Sequence, residues 1–240
     1  MHDLFCKKII GVLCFVLFTA LAVDAQVNRK SNRNYLDFQS KDYYFGLSLG
    51  TNTSGYKINQ SQFFINNDSI RVAEGANGPG FNIHFILNVK IGEYFDFRVM
   101  PGFSFAERNL EFTSVNSAGG VNIRNFESVF ADAPFLIRFK SAPYKDKRAY
   151  VVAGMKYSYD VQSNSSSRQA NSLVKISPHD FNLEIGAGMQ FFFQYFIFSP
   201  EIKFSRGLSN ILIYDNNLNE SRVIEQLRSS IFTISFHFEG

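Results

Sequence analysis

The sequence has little cysteine, no tryptophan and only a small excess of positive charge. Its two cysteines, Cys6 and Cys14, both lie close to the N-terminus, and the 240 residues carry a formal net charge of +3. A chain without thiols beyond this point cannot form disulfides, cysteine-based zinc sites or a cysteine nucleophile. No long basic block is present, so the sequence gives no support to nucleic-acid binding.

The N-terminal segment has the features of a secretory signal peptide. Lys7 and Lys8 form a short basic region, an apolar run extends from Ile9 to Val23, and Val23-Asp24-Ala25 ends the run. Signal peptidase accepts small side chains at the last and third-last positions before the cut, which predicts cleavage after Ala25. A transmembrane anchor is the alternative, but the apolar run is too short to span a bilayer comfortably.

Aromatic residues are abundant, with 28 Phe and 11 Tyr, although the mean hydropathy of −0.09 is slightly negative. In Phe81–Ile91 and Phe95–Phe105, apolar and polar residues alternate with period two. Successive side chains of a strand point to opposite faces, so this spacing predicts strands with one apolar and one polar surface. Six further segments follow the same rule less perfectly: Tyr43–Thr51, Glu127–Phe139, Ala149–Val161, Phe181–Phe191, Phe196–Phe204 and Ile231–Phe238.

The connections between the eight predicted strands alternate between long and short. The long ones are residues 53–79, 107–125, 162–179 and 207–228, and the short ones are 92–94, 140–148 and 192–195. Outer-membrane barrels have short periplasmic turns and longer external loops. We therefore predict an all-β protein, an eight-stranded antiparallel up-and-down transmembrane β-barrel in a bacterial outer membrane, with both termini periplasmic and the long loops extracellular. It would comprise residues 43–240, after a signal peptide (1–25) and a periplasmic N-terminal extension (26–42).

A soluble β-barrel or sandwich is the alternative fold, and its apolar face would point inward. Gly and Ser are frequent on the polar faces, which suits a narrow interior, and Phe and Tyr near strand ends resemble the aromatic girdles of membrane barrels. Pro101 and Pro200 lie within strands on the expected lipid face, where each predicts a bulge or bend. The glycine-rich stretch Gly75–Gly80 is interpreted as loop and turn.

The interior of an eight-stranded barrel is just wide enough for side chains to fill. The inward faces carry charges of both signs in similar number: His84, Lys90, Asp96, Arg98, Asp132, Arg138, Lys156, Glu184, Glu201 and Lys203. Unpaired charges are costly in a narrow lumen, so we expect a side-chain-filled lumen with a paired, hydrogen-bonded plug and no open pore. A binding or proton-relay site in the lumen is the alternative.

Residues suited to catalysis are scarce. Beyond the signal peptide only His84, His179 and His237 remain, whereas barrel hydrolases and lipid-modifying barrels need a Ser-His-acid group or an acid/His pair near the outer rim. His179 lies beside Asp180 and near Ser177, but adjacent strand residues face opposite sides. No metal-ligand spacing or phosphate-cradling loop is present. We expect no catalytic, cofactor or metal site and no small-molecule substrate; a lipid-modifying enzyme centred on His179 is the alternative.

Three stretches resemble the PorT family of outer-membrane β-barrels. They are Tyr43–Asn52, Pro79–Asn82 and Phe95–Leu110, and the last is the most specific, with an Asp-Phe-Arg strand followed by Ser-Phe-Ala-Glu-Arg-Asn-Leu. PorT belongs to the type IX secretion and gliding-motility systems of Bacteroidetes. The resemblance covers essentially the mature chain. It implies a non-enzymatic component required for export of proteases and surface adhesins, with outer-membrane lipid and other type IX secretion components as partners.

Two segments are candidates for partner contact. The first consists of Glu107, Arg108 and Asn109, which follow the third predicted strand. These residues would cap the rim or contact a partner, or else form an ion pair within the loop. The second is a basic stretch expected to be a mobile periplasmic extension, and it contains Arg29, Lys30 and Arg33. A general structural or adhesive barrel that exposes its loops is the alternative function.

Overall fold

A computed structural model describes residues 33–61, 70–114, 121–162, 175–214 and 219–240. The predicted signal peptide and the basic residues Arg29 and Lys30 lie outside these described residues. The elements in chain order are α1 (Arg33–Gln39), β1 (Tyr43–Gln60), β2 (Ile70–Lys90), β3 (Phe95–Val99), β4 (Gly102–Ser114), β5 (Val121–Lys140), β6 (Lys147–Asp160), β7 (Lys175–Ile176), β8 (His179–Phe192), β9 (Ile197–Gly207), β10 (Leu212–Ile213), α2 (Asn219–Arg222) and β11 (Ile224–Glu239). Neither α1 nor α2, the helices in these ranges, has the length and apolar character needed to cross a membrane.

Antiparallel pairing joins the long strands into a closed ring, because β1 pairs with both β2 and β11. β3 and β4 both pair with β2 and β5 and act as one interrupted strand, so the ring has eight positions. If each residue is followed to its direct cross-strand partner around the whole ring, the path that starts at Thr53 on β1 returns to β1 at Tyr43. The strand register is therefore staggered by ten residues over one circuit. A stagger of this kind accompanies strands tilted by about 35–45° to the barrel axis. The predicted all-β, eight-stranded antiparallel up-and-down barrel is confirmed.

The two faces of the wall have opposite character. Apolar side chains point outward, where Phe85 is 68% and Phe45 59% exposed, whereas polar side chains such as Arg98 and Asn88 point inward and are fully buried. Aromatic pairs cover the outside, including Phe198 and Phe236 with ring centroids 6.0 Å apart. A soluble barrel would have the reverse arrangement. The outer surface is that of a barrel in contact with hydrocarbon.

The barrel has a turn end and a loop end. At the turn end lie the start of β1, the end of β11 and the short connections 91–94, 141–146 and 193–196. At the loop end the strands extend further than the sequence predicts. Most of residues 53–79 and 107–125, expected as long loops, belong to β1, β2, β4 and β5.

The glycine-rich stretch Gly75–Gly80 lies inside β2, so its interpretation as loop and turn is wrong. A Cβ on Gly75 would lie 2.1 Å from the Tyr56 carbonyl oxygen, and a Cβ on Gly78 would lie 2.4 Å from the Glu107 carbonyl oxygen. Neighbouring backbones therefore approach too closely for a side chain at these positions. Glycine is needed here for close strand contact.

The two prolines that were expected to distort the wall, Pro101 and Pro200, have different effects. At Pro101 the strand is interrupted between β3 and β4, and the neighbouring Met100 N–H donates to the Pro134 carbonyl at 3.1 Å. The predicted bend at Pro101 is confirmed. At Pro200 β9 continues with the same register, and only its pairing with β8 lapses, so the predicted bulge there is wrong. Proline has no N–H to donate, so the loss of backbone pairing with β8 at this position is enough to accommodate Pro200 without a bulge.

Candidate functional site

The charged side chains of the polar face fill the lumen. Besides His84, which is buried, eight of the nine other side chains predicted to face the lumen are buried, and Lys90 is half-buried near the turn end. The buried eight are Asp96, Arg98, Asp132, Arg138, Lys156, Glu184, Glu201 and Lys203. They form two connected groups, a turn-end network that also includes Lys140 and Glu239, and a mid-lumen network that also includes His84 and His237.

The turn-end network holds three cations and two carboxylates. Asp96 accepts hydrogen bonds from Arg138 Nε at 3.0 Å and from Lys140 Nζ at 2.5 Å, and Arg138 Nη2 also donates to it. Arg98 Nη2 donates to Glu239 Oε1 at 2.6 Å. Pairing of this kind allows these charges to be buried, because transferring an isolated ion from water to the protein interior costs roughly several kcal/mol.

The mid-lumen network alternates acids and bases across the barrel. Lys203 Nζ lies 3.1 Å from Glu184, and Lys156 Nζ lies between Glu184 at 3.7 Å and Asp132 at 3.6 Å. His84 Nε2 is 3.6 Å from the same Asp132 oxygen. These side chains hold one another in place across strands β2, β5, β6, β8 and β9.

Glu201 and His237 connect the two networks on one wall. Glu201 accepts a hydrogen bond from the Tyr150 hydroxyl at 3.0 Å and lies 3.4 Å from His237 Nε2 and 3.9 Å from Lys203 Nζ. The Tyr150 ring in turn packs against the Arg138 guanidinium, 5.0 Å from the ring centroid. A continuous chain of polar contacts therefore runs along this side of the lumen.

On the opposite wall an apolar cluster interrupts the polar lining. Ile86, Met100 and Leu136 pack together and are almost fully buried. Along β5, Leu136 lies between Arg138 and Asp132, one in each network. The empty space beside the mid-lumen network amounts to about 10 Å³, roughly the space that one water occupies. This part of the barrel is therefore filled by its own side chains.

Arg108, one of the three residues predicted to cap the rim or contact a partner, is buried inside the barrel near the loop end. Its guanidinium lies between the rings of Tyr56 and Phe130, 5.3 and 4.4 Å from their centroids, and Nη1 lies 3.3 Å from Ser229 Oγ. The strand continues past the predicted boundary, and Arg108 keeps the inward phase of Ser104. Period-two alternation therefore places it in the lumen.

An apolar cap covers the lumen above Arg108. It consists of Tyr56, Ile211, Val223, Ile224 and Leu227, all buried. The cap is held by backbone contacts between the segments that it joins, including Ile211 N–H to the Leu227 carbonyl at 3.0 Å. Among the described residues, the loop end of the lumen is therefore covered by apolar packing.

The side chains of Glu107 and Asn109 point outward, whereas that of Arg108 between them points into the lumen. Asn109 Nδ2 donates to Glu107 Oε1 at 3.2 Å, and Glu107 is the direct cross-strand partner of Glu127 on β5. Both Glu107 and Asn109 are half-buried at the loop end. The three consecutive residues thus divide between the outer surface and the lumen.

Helix α1 closes the turn end. Tyr35 and Phe38, on one face of this helix, are buried against Phe192 and Ile197. Tyr35 N–H donates to Asp146 Oδ1 at 2.9 Å, which fixes the start of the helix on the β5–β6 turn. Burial raises the pKa of the Tyr35 hydroxyl above its ordinary value.

Beneath α1 lies a cavity of about 380 Å³. Lys90 Nζ reaches across it to the C-terminal carbonyls of the helix, donating to Phe38 O at 2.6 Å and Gln39 O at 3.2 Å. Lys140 and Arg148 line the same cavity and are buried. Lys90 therefore belongs to the junction between α1 and the barrel rather than to the ion-pair networks.

In the part of the chain that the structure describes, no catalytic group is assembled around His179. Its Nδ1 lies 2.7 Å from the Tyr157 hydroxyl on the outer surface, whereas Asp180 is buried in the lumen, where it accepts from Ser229. The Ser177 hydroxyl forms hydrogen bonds with the backbone of His179. Within the described ranges no group of three or more His, Cys, Asp or Glu side chains is arranged to hold a metal ion.

Sequence reasoning missed Lys140, Glu239 and the lumen role of His237. The predicted strands end at Phe139 and Phe238, one residue before Lys140 and Glu239, so both side chains were left out. Continuing the period-two phase by one residue at each strand end would have found them. His237 also has the inward phase in β11 and is fully buried.

By structure the chain is similar to the outer membrane protein OprG from Pseudomonas aeruginosa, with a TM-score of 0.47 and 10% identity over 82% of this chain and 95% of that chain. It is also similar to Ail, the attachment invasion locus protein of Yersinia pestis, with a TM-score of 0.37 and 13% identity over 83% and 100% of the two chains. No curated protein sequence matches the chain. Residues 25–212 match the family described as "Outer membrane protein beta-barrel domain". The protein therefore belongs to this family of bacterial outer-membrane β-barrels.

Proposed function

We propose that the protein is a non-enzymatic outer-membrane component required for type IX protein secretion, in which it serves as a closed accessory barrel. The specific part of this proposal rests on the resemblance of Phe95–Leu110 to the PorT family. The observation that carries the accessory role is the filled lumen. A barrel whose interior is occupied by paired charges, with α1 at one end and an apolar cap at the other, has no space through which a cargo protein could pass.

Deletion of the gene tests the secretion role. We expect extracellular protease activity and surface adhesins to fall sharply, because cargo remains in the periplasm when the accessory barrel is missing. Complementation with the wild-type chain should restore both. Periplasmic export of an unrelated protein and the amount of another outer-membrane barrel serve as controls, since neither depends on type IX secretion. Normal release of extracellular cargo from the deletion strain would reject the proposal.

The proposed orientation places the turn end in the periplasm and the loop end outside the cell. A short epitope tag inserted in residues 141–146 at the turn end should be hidden in intact cells and labelled only after permeabilisation. The same tag inserted between β7 and β8 should be labelled on intact cells. Labelling of the turn-end tag on intact cells would reverse the orientation.

The turn end is the surface that we propose for contact with periplasmic secretion components. Arg33 begins α1 there, and Arg29 and Lys30 precede it in the sequence. Replacing Arg29, Lys30 and Arg33 with glutamine removes the positive charge without altering the barrel strands. We expect less co-purification of partner proteins with the tagged variant and lower cargo release. Equal recovery of partners with both chains would remove the basic stretch from the proposal.

A second candidate function is a structural or adhesive barrel, and one observation favours it. At the loop end β5 stays paired with β4 as far as Val121, whereas its pairing with β6 stops at Phe130. The β4–β5 hairpin, together with β2, which pairs with β4 as far as Ile70, therefore extends beyond β6 at the loop end, as a surface-exposed binding element would. Shortening this hairpin should reduce cell attachment while cargo release stays normal if the adhesive function is correct. Loss of cargo release with normal attachment would favour secretion.

A further inference from the structure

Three basic side chains lie together on the outer surface at the loop end. Lys57 on β1 is the direct cross-strand partner of Arg228 on β11. Arg206 on β9 pairs with Ser230, two residues from Arg228 on the same strand. Diagonal neighbours of this kind are about 7–8 Å apart, within reach of long side chains. The three cations thus span adjacent strands β1, β11 and β9.

This basic patch, formed by Lys57, Arg206 and Arg228, borders the apolar outer surface. Phe204 and Phe232 are direct partners and both point outward, 42% and 46% exposed. Arg206 lies two residues beyond Phe204 toward the loop end, and Arg228 lies four residues beyond Phe232. A cation at this level lies where hydrocarbon gives way to lipid headgroups.

The fold itself does not neutralise the patch. Like charges directly opposite each other on paired strands are destabilising, as Lys57 and Arg228 are here. Among the residues that the structure describes, no carboxylate lies within ion-pair distance of Lys57, Arg206 or Arg228, and Arg228 Nε is buried without a hydrogen-bond partner. By contrast, the outward acidic pair Glu107 and Glu127 lies on β4 and β5, on another part of the wall. The basic residues and this acidic pair therefore lie on different parts of the loop-end surface.

We propose that the basic patch binds the phosphate groups of an anionic lipid in the leaflet that surrounds the loop end. Phosphate oxygens suit the forked donors of Arg206 and Arg228 and the point charge of Lys57. The adjoining Phe204 and Phe232 provide the apolar surface against which the acyl chains of the same lipid would lie. Three basic residues close to a membrane surface favour an anionic lipid by up to about a hundredfold. This assignment is independent of the secretion role.

The absence of tryptophan from the chain provides a local probe. A Phe232→Trp variant carries its only indole beside the patch, and a Phe105→Trp variant carries it on β4 near Glu107. Each variant is refolded into phosphatidylcholine vesicles that contain either brominated phosphatidic acid or brominated phosphatidylcholine. Fluorescence quenching then gives the affinity of each site for the phosphomonoester lipid relative to phosphatidylcholine.

We expect the Phe232→Trp site to prefer phosphatidic acid by about fivefold or more at low salt, with a smaller preference in 0.5 M NaCl. Adding Lys57→Gln, Arg206→Gln and Arg228→Gln should bring the ratio close to one, and the Phe105→Trp site should show no preference. Faster migration of unboiled protein verifies that each variant is folded. A ratio near one at Phe232→Trp, an equal ratio at Phe105→Trp, or a preference that survives the triple substitution would each overturn the proposal and leave the patch to a protein partner.

Discussion

Replacing Asp96 with asparagine removes the carboxylate that two buried cations share. Asp96 accepts from Arg138 and Lys140, and its side chain and that of Arg138 are fully buried. In the Asp96→Asn variant, Glu239 still lies within ion-pair distance of Arg98 and Arg138, whereas Lys140 loses the carboxylate with which it is paired. Leaving buried charges without their partner costs about 3–5 kcal/mol. The unfolding equilibrium constant should therefore rise by about a hundredfold to a few thousandfold.

The measurement is urea unfolding of the barrel in lipid vesicles, monitored by the gel mobility of unboiled protein and by circular dichroism. We expect a lower midpoint with an unchanged slope, since the surface exposed on unfolding stays the same. Asp37→Asn, the same substitution on exposed α1, should change stability by less than about 0.5 kcal/mol. Adding Lys140→Met to Asp96→Asn removes one unpaired cation and should recover at least about 1 kcal/mol. A loss below about 1 kcal/mol for Asp96→Asn alone would refute the reasoning.

Three further predictions follow from close packing and closure. Gly154→Ala should destabilise the barrel by about 2 kcal/mol or more, because its Cβ would lie 2.0 Å from the Phe135 carbonyl oxygen, whereas Gly92→Ala has open space and should be neutral in the same urea titration. Joint replacement of Tyr35 and Phe38 with alanine should release α1, which limited proteolysis would detect as faster cleavage at the turn end while the barrel remains protected; equal cleavage of both chains would contradict the described packing. Purified protein in planar bilayers should give no stable ion-conducting steps, and regular steps would disprove the filled lumen.

The wall of the barrel could be predicted wherever one face meets hydrocarbon. In Phe81–Ile91 every second residue is apolar because the outward face of the strand contacts hydrocarbon. The sequence therefore predicts both the strand and which of its side chains point outward. Beyond the apolar band this constraint ends, and both faces of a strand can be polar. The continuation of β1 through Gln60 therefore has no alternation to detect, and its residues were predicted as loop.

The sequence predicts which residues face the lumen, but it does not predict which of them pair with one another. Period two places Arg98 and Glu184 inside, but it cannot say which acid meets which base across the barrel. Arg98 pairs with Glu239, 141 residues away in the sequence, because ring closure brings β11 opposite β3. Helix α1 has only seven residues, and its burial depends on Tyr35 and Phe38 finding an apolar site that exists only in the folded barrel.

The position of Glu239 also bears on how the barrel assembles. β11 is the last strand, and its pairing with β1 closes the ring and delivers Glu239 to Arg98 and Arg138. A slip of one residue would turn Phe238 into the lumen and Glu239 toward lipid. The register that closes the wall is therefore also the register that places Glu239 within reach of both arginines, and a slip of one residue would lose both contacts.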